Sequence, residues 1–174
     1  MKKTILTYGL LSGGIMILMI LITGIFKNYI GFDKGEYLGY TTIVLAFTLV
    51  FFGIRSFKRE NQGISFWKAF GIGISITTIS SILYVVGWMI TQHFFMPNFY
   101  QDYANYYYEH AKAGGASAAE LLACKQQMSD MMDMLKNPFM EYLMTFIEPF
   151  PIGLAVTIIS AIILRKKSTK EVSI

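Results

Sequence analysis

Hydrophobic positions in this chain neither alternate nor follow a single helical stripe; they collect in four long runs, at residues 5–26, 37–54, 69–90 and 139–164. A helix rises about 1.5 Å per residue and the hydrocarbon core of a bilayer is about 30 Å thick, so about 20 mostly apolar residues span it. Each run approaches or exceeds that length, which predicts an all-α polytopic membrane protein with four transmembrane helices, residues 1–174 forming one membrane domain. The third helix is expected to start at the interface, giving 66–90. The first and third runs carry no charge, the second is the shortest and predicts a marginal, nearly upright span, and the fourth contains Glu141 and Glu148.

The first run follows Met1-Lys2-Lys3, as the core of a secretory leader would. It is longer than the roughly 7–15 apolar residues of a leader, and no small-x-small cleavage signal follows Phe26. It is therefore read as a retained span.

Residues 91–138 are too polar to enter lipid and too many for a tight loop. In 98–112, Phe99, Tyr103, Tyr106 and His110 recur at helical spacing on one face, and Gly114-Gly115 ends that helix. Ser117-Ala118-Ala119-Glu120 reads as a capping box for a second helix that stops at Asn137-Pro138. Along the second helix Leu121, Cys124, Met128, Met131 and Leu135 form a heptad seam. The simplest pairing sets this seam against the aromatic face, giving an extracytoplasmic helical hairpin inserted between the third and fourth spans. Tyr107, Tyr108 and Met132 would then lie near the surface, a candidate site for another protein or a second copy.

Charge adds an orientation. With both ends and the loop after the second span in the cytoplasm, that side holds Lys2, Lys3, Arg55, Lys58, Arg59, Lys68, Arg165, Lys166, Lys167 and Lys170. The other side holds only Lys27, Lys34, Lys112, Lys125 and Lys136, and carries acidic residues besides. Such an excess of Lys and Arg marks the cytoplasmic face. The basic loop Arg55, Lys58, Arg59 is expected to meet anionic lipid headgroups, with Trp67 as an interfacial anchor; nucleic acid is not an expected partner. With 54% hydrophobic and 15% charged residues, the composition agrees with a membrane protein.

Glu148 is the most informative single residue. An ionisable group inside a span is costly and by default a candidate for function. Pro149 and Pro151 follow it, deprive carbonyls one turn earlier of their donors, and predict a bend. Glu148 lies 16 residues from Leu164, or about 24 Å along the helix. Tyr84 lies 16 residues from Lys68 and so at the same depth, which nominates its hydroxyl as the donor to Glu148. Tyr84 belongs to a small and polar stripe, Gly73, Thr77, Ser80, Tyr84 and Gly87, suited to close packing; the plainer reading is that stripe and glutamate fasten the third span to the fourth.

Other chemistry is thinly represented. His93, His110, Cys124, Met96, Met128, Met131, Met132 and Met134 include ligands suited to copper(I), but the histidines have no helical pairing and the seam already explains Met128 and Met131. No metal or cofactor is expected. Nor is an enzyme, since GxSxG, HExxH and GxxxxGK[ST] are all lacking. Gly9 and Gly13 have the spacing of a close-packing site for an unspecified helix.

Three stretches carry a resemblance: Phe52-Gly53-Ile54-Arg55-Ser56-Phe57-Lys58-Arg59-Glu60-Asn61-Gln62-Gly63-Ile64-Ser65-Phe66-Trp67-Lys68-Ala69-Phe70, then Tyr84-Val85-Val86-Gly87-Trp88, and Glu148-Pro149-Phe150-Pro151-Ile152-Gly153-Leu154. They resemble the uncharacterised bacterial membrane family filed as the domain of unknown function four-one-nine-nine. The resemblance implies a small inner-membrane protein of Gram-negative bacteria with about four spans, and no assigned activity or functional residue. The leading expectation is a non-enzymatic component or modulator of a membrane assembly; the alternative is a small transporter or channel using Glu148. A cavity meeting Glu148 would favour the second, and an exposed apolar face on the hairpin the first.

Overall fold

The computed structural model describes residues 1–166, and its described residues are helical with short connections and no strand. In chain order the helices are α1 (Lys2–Ile25), α2 (Lys27–Glu60), α3 (Phe66–Phe95), α4 (Phe99–Ala113), α5 (Ala118–Leu135), α6 (Pro138–Ile147) and α7 (Phe150–Leu164). Four units are long and apolar enough to cross a membrane: α1, α2, α3, and α6 with α7 as one span, Pro138–Leu164. Large apolar side chains such as Leu10, Leu18, Leu45, Ile82, Ile159 and Ile163 stand exposed around them, as a lipid-facing surface requires. Lys167 and Lys170, which entered the charge argument, lie outside the described residues.

Packing centres on α3, which contacts α1, α2, α6 and α7; α2 also lies against α1 and α7. Small residues let these backbones close. A Cβ on Gly153 of α7 would meet the Phe47 ring at 2.7 Å and collide with the Thr77 methyl. Hydroxyls then tie neighbouring spans: Thr77 donates to the Gly153 carbonyl at 3.3 Å and lies 3.2 Å from Thr157 Oγ1, and Ser12 of α1 donates to the Ala46 carbonyl of α2 at 3.0 Å. Such bonds act where lipid offers no competing partner.

Two expectations are revised, and one helix is longer than its apolar run: α2 continues past that run at both ends, because hydropathy marks where a helix meets lipid and not where its hydrogen bonds stop. Its first turns are set off by Gly31, at φ 70° and ψ 173°, a conformation open to glycine. The small and polar stripe of α3 does not serve the fourth span alone. Gly73 and Thr77 face Thr157 and Gly153 of α7, but Ser80, whose hydroxyl donates to the Ile76 carbonyl of its own helix at 2.9 Å, also lies 3.3 Å from the Gly9 carbonyl, and Gly87 lies against Ile17 of α1. That puts the close-packing pair Gly9 and Gly13 opposite Ile79 and Leu83 of α3. Finally, the aromatic face of α4 is shared: α4 packs along α5, as a hairpin requires, and also meets α2. Phe32 sits among Phe99, Tyr103 and Tyr106 with ring centroids 5.1–5.8 Å apart.

Local signals in the polar segment are met. Ser117 and Glu120 form the capping box, the Glu120 carboxylate accepting from the Ser117 amide at 2.7 Å. Those bonds hold the exposed Glu120 carboxyl below its usual range. Gly115, at φ 84°, ends the α4 turn, and Asn137 caps α6 by accepting from the Phe139 amide at 3.0 Å. In the loop after α2, Gln62 at φ 54° and Gly63 make the tight turn, and the Ile64 carbonyl accepts from the Lys166 amide at 2.9 Å.

Candidate functional site

Tyr84 and Glu148 meet as their matching depths require: the Tyr84 hydroxyl donates to Glu148 Oε2 at 3.0 Å. Tyr84 is buried on α3, while Glu148 ends α6 and keeps accessible surface. Glu148 and Pro149 both hold right-handed helical torsions, so the interruption between α6 and α7 is one of hydrogen bonding. Pro149 has no N–H for the Thr145 carbonyl and Pro151 none for Ile147. Pro149 is fully buried behind the carboxylate.

Glu148 and Tyr84 line a cavity of about 380 Å³. Its walls come from the later turns of α1, the first part of α2, the end of α3, and α4, α5 and α6, so it occupies the half of the bundle nearest α4 and α5. Most of the wall is apolar, with Met16, Ile20, Ile43, Met131 and Leu135 among it, and seven aromatic residues contribute. Its ionisable members besides tyrosine are Glu36, Glu141 and Glu148; among the described lining residues there is no Lys, Arg or His. Glu36 and Tyr40 are exposed, so the cavity opens beside α2.

Tyrosines hold the other two carboxylates as Tyr84 holds Glu148. Tyr100 donates to Glu141 at 3.0 Å while accepting from the Trp88 indole N–H at 3.3 Å. Burial pushes the Tyr100 hydroxyl up, the Trp88 donor opposes this, and the Glu141 carboxylate adds to it. Tyr107 donates to Glu36 at 3.2 Å, and Tyr106 to Asp33 at 2.6 Å. The bond to Asp33 holds the Tyr106 hydroxyl above its ordinary value. These long side chains lay α4 over the cavity and tie it to α2.

The residues read as an interaction surface are differently placed. Tyr107, Tyr108 and Met132 are half-buried, and Tyr107 spends its hydroxyl on Glu36. The α5 seam Leu121, Cys124, Met128, Met131 and Leu135 is half-covered throughout, and Leu122 stands 69% exposed beside it. At the opposite end of the bundle, Arg55 and Arg59 flank a shallow depression with Tyr8 and Phe52. Lys58 is half-buried, and Trp67 is exposed. Among the described residues no three His, Cys, Asp or Glu side chains cluster as a metal site.

Glu36, Glu141, Tyr100 and Trp88 are the site residues that hydropathy passed over. A signal for Glu141 was available: it precedes Glu148 by seven residues, two helical turns, and therefore shares its face. Trp88 follows Tyr84 by four residues on the same argument.

Four apolar spans, one of them interrupted beside a carboxylate, define a polytopic helical membrane protein. The model of a family described as a protein of unknown function, DUF4199, matches residues 7–166, and the chain belongs to that family. No curated protein matches it, and no solved structure does.

Proposed function

We propose that this protein binds a small solute within the membrane, at the cavity that holds Glu148, and that its activity is transport of that solute without chemistry of its own. The observation that carries this reading is the cavity itself: an intramembrane carboxylate borders about 380 Å³ of space instead of being packed away. A span interrupted at the binding residue is a recurring way for membrane proteins to expose backbone carbonyls to a cargo. Here the Thr145 carbonyl is released at the cavity wall by Pro149. Charge distribution supports placing both ends and the Arg55–Arg59 loop in the cytoplasm of the inner membrane, so that the α4–α5 hairpin is extracytoplasmic and the cavity faces outward.

The experiment is labelling of Thr145→Cys in a Cys124→Ser background with the small neutral reagent methyl methanethiosulfonate. Thr157→Cys, in the packed half, is the control. Water access to the cavity predicts modification of the first and protection of the second. Protection of both would show that no water-filled space exists at Glu148, and the reading would fall.

Action as a component of a membrane assembly is the second reading, supported by the half-covered seam of α5 and exposed Leu122. The engagement of Tyr107 with Glu36 removes part of the surface it relied on. Crosslinking from Tyr107 that captures only lipid would weaken it further.

A further inference from the structure

Resting on that reading of the cavity, we infer that its ligand is an organic cation: a quaternary or protonated amine carrying apolar groups. Glu36, Glu141 and Glu148 bring three carboxylates to one cavity, and each is oriented by a tyrosine hydroxyl. None has a basic partner; among the described residues the ion pair present is Lys136 with Asp133 on the exposed surface of α5. A single hydroxyl donor leaves an ionised carboxylate with most of its acceptor capacity free. Glu141 is half-buried, and carboxylates with free acceptors beside an apolar wall and no basic partner favour a positive charge.

Size and lining decide what kind of cation. The carboxylates are too dispersed to form a metal-ligand cluster, and about 380 Å³ exceeds what a bare ion fills. Around them the wall is aromatic, with Trp88 and Tyr103 among its rings. Faces of Trp and Tyr attract ammonium groups through the ring quadrupole, and the attraction grows when the site is desolvated. A strongly hydrated inorganic cation would forfeit its water to an apolar wall, whereas an alkyl or aryl ammonium places its substituents against that wall. The absence of Lys, Arg and His from the described lining disfavours an anion or a carboxylic acid in the same space.

Trp88 supplies the measurement. In the chain of residues 1–174 carrying Trp67→Phe, Trp88 is the remaining tryptophan. Its emission is to be followed in phosphatidylglycerol nanodiscs during titration with benzyltrimethylammonium and with neopentylbenzene, the uncharged molecule of the same shape. The expected result is a saturable change with the cation only, weakened about tenfold or more by Glu148→Gln, a loss equal to about 1.4 kcal/mol. Glu141→Gln, two turns earlier on the same face of α6, is expected to weaken it too. Nanodiscs half of phosphatidylethanolamine, compared with ones half of uncharged monoglucosyl diacylglycerol so that surface charge is equal, separate two sources of the ammonium: weaker probe binding in the first assigns the site to a lipid headgroup, and equal binding to a free solute, both within the proposed chemistry. Equal binding of the neutral probe, or undiminished cation binding in both folded glutamine variants, would overturn the inference, as would no saturable change at millimolar cation. Thr145→Cys labelling distinguishes the failures. A labelled cavity without cation preference removes the ligand class and leaves the solute-binding reading, whereas an unlabelled one removes both.

Discussion

Where α3 passes α7, Gly153 and Thr77 bring two backbones together until the Phe47 ring fills the remaining space. Further along α3, at Tyr84 and Trp88, the same helix borders a cavity of about 380 Å³. Both regions are polar within a membrane, but their polarity is used differently. In the packed region hydroxyls tie helix to helix, Thr77 to the Gly153 carbonyl and Ser12 to the Ala46 carbonyl. In the open region tyrosine hydroxyls orient carboxylates whose remaining oxygens border empty space. The contrast teaches that one half of the bundle sets the distance between spans and the other half uses it.

The largest expected effect breaks the packed half. Gly153→Leu drives a side chain into Thr77 and Phe47 and should destabilise the protein by about 3 kcal/mol, read as a lowered melting temperature in detergent. Gly14→Leu, at a position with open space around the added Cβ, should leave melting unchanged; equal losses at both sites would erase the distinction.

Next comes the open half. Tyr84→Phe removes the donor to Glu148 and should cost about 1.5 kcal/mol of stability, the size of a hydrogen bond to a charged group. Combined with Glu148→Gln in a double-mutant cycle, the effects should be non-additive. Strict additivity would mean that the two groups do not interact in the membrane.

Ser117→Ala removes the α5 cap and should cost about 1 kcal/mol of helix stability, seen as faster amide exchange confined to the first turn of α5. Spread of that exchange to α3 or α7 would show that the halves are not independent.

The smallest effect concerns pH. Tyr106 has a raised pKa in the folded chain, so its contribution is complete below the ordinary tyrosine value of about 10 and is lost as pH rises through the higher folded value. Amide exchange in α4 should therefore quicken in that alkaline window, and Asp33→Asn should remove the pH dependence. Persistence of the effect in Asp33→Asn would assign it elsewhere.

Much of this was legible beforehand for identifiable reasons. Tyr84 and Glu148 were matched by counting helical rise from charged ends, which works because spans run side by side across a layer of known thickness. The capping box and the Gly114-Gly115 stop are local, so neighbouring residues decide them. The contact of the α4 aromatic face with α2 was not local. An aromatic stripe and a Met-rich seam fit each other by composition, but so do that stripe and Phe32, which stands beside Asp33 in a short polar stretch and reads as loop. Depth counted along one helix does not place the partner of Glu141, because α4 reaches over from the side and brings Tyr100 to it. Tertiary approach of a separate element decides such groups, and periodicity within one element does not report it.

The small-residue face of α1 also bears on how the chain is made. Gly9 and Gly13 lie against Ile79 and Leu83, side chains that leave the ribosome only after α2 and the following loop. Until then α1 and α2 share the lipid with a notch between them shaped for a helix that does not yet exist. A nascent chain that stalls before Phe66 would present that notch to any passing span with a suitable ridge. The first helix pair is thus an unfinished interface during biosynthesis, and the arrival of α3 is the step that closes it.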